Sequence, residues 1–166
     1  MAFARESGVE TNVTMVERDS LSYTAANRVY QNGDYARALT LMDNYLRQYP
    51  KGSFRIEALY ALGDCSLREG NRAGALAAFE EVGSMPMSEY KVPALQQAAK
   101  MQVEDKHYPQ AAALYKTLST VAIKSADIAS ALGGYLSAVI ATGNVAEMGR
   151  AADEVLASPY VTADLT

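Results

Sequence analysis

Few side chains in this chain of 166 residues are suited to bond-making chemistry, and their spacing keeps them apart. Cys65 and His107 are the one cysteine and the one histidine. A nucleophile–base pair built from them would need the two to meet and a third group to orient the base, and they fall in different repeats of the pattern described below. A single cysteine makes no intramolecular disulfide, so cysteine usage leaves the redox compartment open. Glu80-Glu81, Glu104-Asp105 and Asp153-Glu154 are acidic pairs. Neighbouring helical positions point in different directions, so none of these pairs opposes two carboxylates across a substrate. No CxxC, HExxH or GxxxxGK[ST] sequence occurs, which removes the common metal and phosphate signatures. The expectation is a protein that is not an enzyme, with no catalytic residue, no cofactor and no metal site.

Composition narrows the alternatives. Hydrophobic residues make up 49% of the chain, charged residues 20%, and mean hydropathy is -0.10, a balance that folds. A formal net charge of -4 with a pI near 5.0 leaves no basic footprint for a phosphate backbone, so no nucleic-acid partner is expected. Residues 128–146 carry no charge and approach the length of a membrane span. Ser130, Ser137, Thr142, Asn144 and the Gly133-Gly134 pair interrupt that stretch, so no spanning segment is expected. Eleven tyrosines and no tryptophan are better suited to recognition, because tyrosine presents an apolar body and a hydroxyl together.

The elements that position these residues follow from a recurring turn. Gly33-Asp34-Tyr35-Ala36-Arg37-Ala38-Leu39 runs on through Met42 and Tyr45 to Tyr49-Pro50, and equivalent turns fall at Gly70-Asn71, Lys106-His107 and Gly143-Asn144, at intervals of 37, 36 and 37 residues. A fixed period in this range means stacked helix pairs. Asp19 and Ser20 are placed to cap a first helix, whose packing face is Ala25, Ala26 and Val29, with residues 1–18 read as a linker or frayed lead-in. Ser53 is a candidate cap for the helix over 54–69. Gly63, in that helix, suggests a close neighbour, since glycine costs about 1 kcal/mol relative to alanine in a helix interior. Pro93 suits the first turn of the fifth helix. Pro159 closes the last one. The repeats are read as 19–52, 53–90, 91–124 and 125–159, followed by a tail over 160–166 that is expected to be cut from a longer protein.

Leu59-x-x-Leu62-Gly63, Ala75-x-x-x-Phe79, Gly33-Asp34-Tyr35 and the closing Pro50 resemble the tetratricopeptide-repeat (TPR) consensus over residues 20–159. Ser66, Gln102 and Val139 stand where that pattern has tyrosine. The resemblance implies an all-α fold, a right-handed superhelical solenoid of about four TPR-like antiparallel helix pairs. The linker Tyr49-Pro50-Lys51-Gly52-Ser53 ahead of Glu57-Ala58-Leu59-Tyr60-Ala61-Leu62-Gly63-Asp64 is similar to a bacterial envelope subset that includes BamD- and YbgF-type proteins, and Glu17-Arg18-Asp19-Ser20-Leu21-Ser22-Tyr23 to repeat proteins of Bacteroides-type bacteria. That implies a periplasmic or outer-membrane-associated location, with the cytoplasm as the alternative.

In the repeat family the first helix of each pair lines a concave face. The candidate partner-binding residues are therefore Tyr23, Asn27, Tyr30, Tyr60, Asp64, Leu67, Gln96 and Lys100, which would form a groove for a protein or peptide partner. Tyr23 and Tyr60 occupy positions where a carboxylate clamp would need cations. The leading expectation is a noncatalytic interaction module. The alternatives are a structural spacer or self-association segment of a longer solenoid, a possible homo-oligomer in which the helix around Leu132–Ile140 packs against another copy, and a helper region of a multidomain enzyme.

Overall fold

A computed structural model describes the backbone of residues 3–162 and the side chains of residues 14–161. Its elements are all helical: α1 (Phe3–Gln31), α2 (Tyr35–Gln48), α3 (Arg55–Arg68), α4 (Arg72–Ser84), α5 (Lys91–Glu104), α6 (Tyr108–Val121), α7 (Ser125–Thr142), α8 (Val145–Leu156) and the single turn α9 (Pro159–Thr162). The chain divides into two compact units, Met1–Ala78 and Phe79–Thr166. In the first, α2 packs on α1 and α3; in the second, α5 packs on α6, α6 on α7 and α7 on α8.

The recurring turns are where the period puts them, and they share one backbone conformation. Gly33, Gly70 and Gly143 have φ of 79°, 80° and 77°, and Lys106, in the one turn without glycine, is held at 61°. This left-handed region admits glycine freely and charges other residues a steric cost. Asp34 and Asn144 then cap α2 and α8 by accepting hydrogen bonds from the Arg37 and Glu147 amides, as expected of such residues before a helix.

Each second helix builds its core from three positions counted from the turn. Ala38, Ala75 and Ala111 are fully buried five residues on; Met42 and Phe79 fill the next turn; Tyr45, Val82, Leu118 and Val155 lie buried a turn beyond. Met148, which stands where the alanines stand, is partly buried and joins Ala111, Ala138 and Val139 in the core of the second unit. One close approach marked by glycine is at Gly134, where a Cβ would lie 2.7 Å from the Tyr115 ring.

Several boundaries differ from the sequence reading. α1 continues through Asp19 and Ser20, so Asp19 is no cap: it is a mid-helix carboxylate, 7% exposed, facing the α2–α3 linker. Ser53 does not cap α3, whose N-cap is Phe54 with no side-chain hydrogen bond; the Ser53 amide is instead bound to Asp19. α5 begins at Lys91, two residues before Pro93, and Pro159 opens α9 rather than only ending α8. Of the tail, residues 163–166 lie outside the described residues, as do the side chains of residues 1–13.

Candidate partner-binding face

Along α3, α5 and α7 the sequence alternates what is hidden with what is offered. Counting back from the turn, the positions four, five, eleven and twelve residues before it are mostly buried: Ala58, Leu59, Cys65 and Ser66 on α3, Ala94, Leu95, Met101 and Gln102 on α5, Ala131, Leu132, Ala138 and Val139 on α7. The positions three, six and ten before it are not. Tyr23, Asn27 and Tyr30 on α1 and Tyr60, Asp64 and Leu67 on α3 are half-buried, whereas Gln96 and Lys100 on α5 are exposed. A helix of 3.6 residues per turn sets these three offsets on one stripe.

The same offsets hold residues that the sequence reading left out: Val103 on α5 and Gly133, Ser137 and Ile140 on α7, all exposed. Their signal was the register itself, which had located the other members of each row.

In the first unit the stripe is also structural. The Tyr30 hydroxyl donates to Asp64 Oδ2 at 2.9 Å, and Arg68 Nε donates to the same oxygen at 2.9 Å. The Arg68 guanidinium lies 4.4 Å from the centre of the Tyr35 ring, and Tyr35 meets Tyr30 edge-on at 6.1 Å. One carboxylate thus ties α1 to α3, while its arginine partner reaches α2. Burial, and then the hydrogen bond to Asp64, push the Tyr30 hydroxyl far above its ordinary range; burial beside Asp64 raises Tyr60 too. Both are neutral at physiological pH. Tyr23 stacks flat on Phe54 at 4.5 Å and lies 5.7 Å from Tyr45, so its ring packs the first unit's core. In the second unit, Gln96 faces an open cleft and Lys100 sits 3.9 Å from Glu104 on its own helix.

Cys65 is fully buried, and burial beside Asp64 raises its thiol to about 11, the environment of an inert packed cysteine. His107 precedes α6 with Nδ1 3.0 Å from Gln102 Oε1, and Gln102 Nε2 donates to Glu80 at 2.9 Å. Buried Gln102, at a position where the repeat pattern has tyrosine, therefore joins α4, α5 and the following turn. Among the described residues no three His, Cys, Asp or Glu side chains are placed to hold a metal ion. No described helix is long and apolar enough to cross a membrane.

Solved structures give the fold. The chain is similar to a MamA RS-1 double mutant (18% identity, TM-score 0.59, covering 84% of this chain and 74% of that one). It is also similar to the TPR-like repeats of a kinesin light chain of Podosopora anserina (16%, 0.55, 89% and 82%) and a tetratricopeptide repeat protein of Parabacteroides merdae (18%, 0.62, 87% and 56%). The fold is that of the TPR-like helical repeats. No protein-family profile matches the sequence, and no curated protein matches it.

Proposed function

We propose that this chain is a noncatalytic scaffold whose first helices bind another protein. The observation that carries the reading is the stripe at offsets three, six and ten. In all four repeats its members stay unburied, and on α3, α5 and α7 the flanking positions are hidden; the stripe includes tyrosines, amides and charges rather than the uniform Lys and Glu of a merely solvated surface. Such residues give a partner both apolar contact and hydrogen bonds. Pull-down from an extract of the source cell tests it with Asn27→Arg and Lys100→Glu, which leave the Tyr30–Asp64 bridge and the Tyr23 stack intact. A partner enriched by the natural chain and lost with these variants is expected; a partner retained by both would count against the face. An envelope location, supported by the likeness of the Tyr49–Ser53 linker to envelope repeat proteins, is tested by fractionating source cells and probing the periplasmic and outer-membrane fractions.

A second reading has its own observation. Ile140, Val145 and Leu156 of the second unit are 52%, 78% and 60% exposed, large apolar side chains available for self-association. Leu132 and Val139, by contrast, are buried within the unit, so any homo-oligomer would use the former set. Light scattering over a concentration series decides: a concentration-independent monomer removes this reading.

A further inference from the structure

Two linkers between repeats in the second unit carry a large apolar side chain at the same place. Met87 follows Gly70, and Ile123 follows Lys106, by seventeen residues. They are 54% and 82% exposed, and both line one cleft of about 410 Å³ whose walls include Val92 and Pro93 from the first turn of α5. Val92 continues into the buried Leu95–Leu118–Ala131 cluster, so the cleft has an apolar floor as well as an apolar rim.

The cleft also holds an unmet hydrogen-bonding group. Ser88 lines it, and its Oγ is buried with no hydrogen-bond partner among the described residues. Buried hydroxyls are normally paired, because leaving one unpaired forfeits its hydration. The charged residues that line it are Glu89, Asp127 and Lys124, two carboxylates against one ammonium, while Lys91 beside them is turned to the Met85 carbonyl.

We propose that this cleft is a docking site for a short segment of a partner protein that carries a large apolar side chain next to a lysine or arginine. The apolar side chain sits against Met87, Ile123 and Pro93; a backbone carbonyl of the segment accepts from Ser88 Oγ; and the cation answers the excess of carboxylate. A second copy of this chain fits less well, because with a formal net charge of -4 it brings more of the charge already present, and an anionic headgroup is disfavoured for the same reason. The site shares only Gln96 with the first-helix stripe and rests on separate observations.

The test is selection of a phage-displayed random peptide library on the immobilised full-length chain, followed by anisotropy titration of a synthetic peptide of the enriched sequence. Enriched peptides are expected to pair a large apolar residue with Lys or Arg. Ile123→Asp should weaken binding by roughly tenfold or more, and Ser88→Ala by about fivefold, the loss of one hydrogen bond. Asp127→Lys should weaken it about threefold, with the difference shrinking in high salt. Circular dichroism confirms that each variant is folded, and Ile123, being so exposed, is the safest of them. Absence of any enriched sequence, enrichment of acidic peptides, or binding indifferent to both Ile123→Asp and Ser88→Ala overturns the proposal. Binding lost with Asn27→Arg and Lys100→Glu but kept with Ile123→Asp would put the peptide on the first-helix stripe and overturn it equally. Self-association abolished by Ile123→Asp would make the occupant a second copy.

Discussion

Tyr45 Oη donates a 2.5 Å hydrogen bond to Asp19 Oδ1, and this pair fastens the first linker to the first two helices. Asp19 Oδ2 accepts from the Ser53 amide at 2.9 Å, and Tyr45 Oη accepts from the Phe54 amide at 3.1 Å. Gly52 lies against the same hydroxyl with no room for a Cβ. A linker that would otherwise leave part-buried amides unpaired is thereby satisfied by one carboxylate and one phenol.

This arrangement gives stability a pH dependence. Burial pushes the Asp19 carboxyl up, but the hydrogen bonds from Tyr45 and Ser53 outweigh it and hold the carboxyl below its ordinary value. A carboxylate lowered on folding contributes stability that is present above its unfolded value of about 3.9 and is lost as pH falls through the folded one. Asp19→Asn should flatten the decline in melting temperature below about pH 4 relative to the natural chain. Tyr45→Phe should cost about 2 kcal/mol by stranding the Phe54 amide and one carboxylate oxygen. Melting curves across pH check both.

At high pH the sign reverses. Tyr30 and Tyr45 are raised, by burial first and then by their carboxylate partners, so their neutral forms are favoured in the folded state. Their stabilisation is complete below about pH 10 and declines as pH rises above it. Tyr45→Phe should therefore lose less stability than the natural chain between neutrality and strong alkali, as read by urea unfolding.

Adjacent glycines in α7 should respond oppositely to alanine. At Gly134 the added methyl meets the rigid Tyr115 ring at 2.7 Å, whereas at Gly133 nothing lies within 4 Å. Gly134→Ala should cost about 1–3 kcal/mol, and Gly133→Ala should stabilise by roughly 0.5–1 kcal/mol through helix propensity. Thermal melts of the two variants suffice.

Cys65 should resist thiol reagents in the folded protein. Its burial and raised thiol leave almost no accessible thiolate at neutral pH, so Ellman's reagent should react only at the rate of opening and at once in denaturant. Rapid labelling of the native chain would contradict this environment.

The turns were legible because left-handed backbone selects glycine, and Gly33, Gly70 and Gly143 repeat that signal; once the period was fixed, Lys106 could be placed without one. Core positions such as Ala38, Met42 and Tyr45 followed from helical periodicity. Asp19 did not. Short acidic residues before an apolar run usually cap helices, and its role depends on Tyr45 and Ser53, 26 and 34 residues away, a contact that no local pattern encodes. The stripe was read in part: the phase of the repeats located Tyr30 and Leu67, but their register mates Val103 and Ile140 lie in repeats whose consensus is weaker. That Tyr23 packs against Phe54 as well as belonging to the stripe depends on a ring geometry that spacing alone does not give.

The most direct test of the scaffold reading is photo-crosslinking in the source cell, with a benzophenone side chain placed at Asn27, Lys100 or Ser137 on the first helices, or at Arg37 or Thr117 on exposed positions of the second helices. The account predicts a discrete protein adduct from the first-helix positions and little from the second. Adducts formed equally from both sets, or only from Arg37 and Thr117, would contradict it.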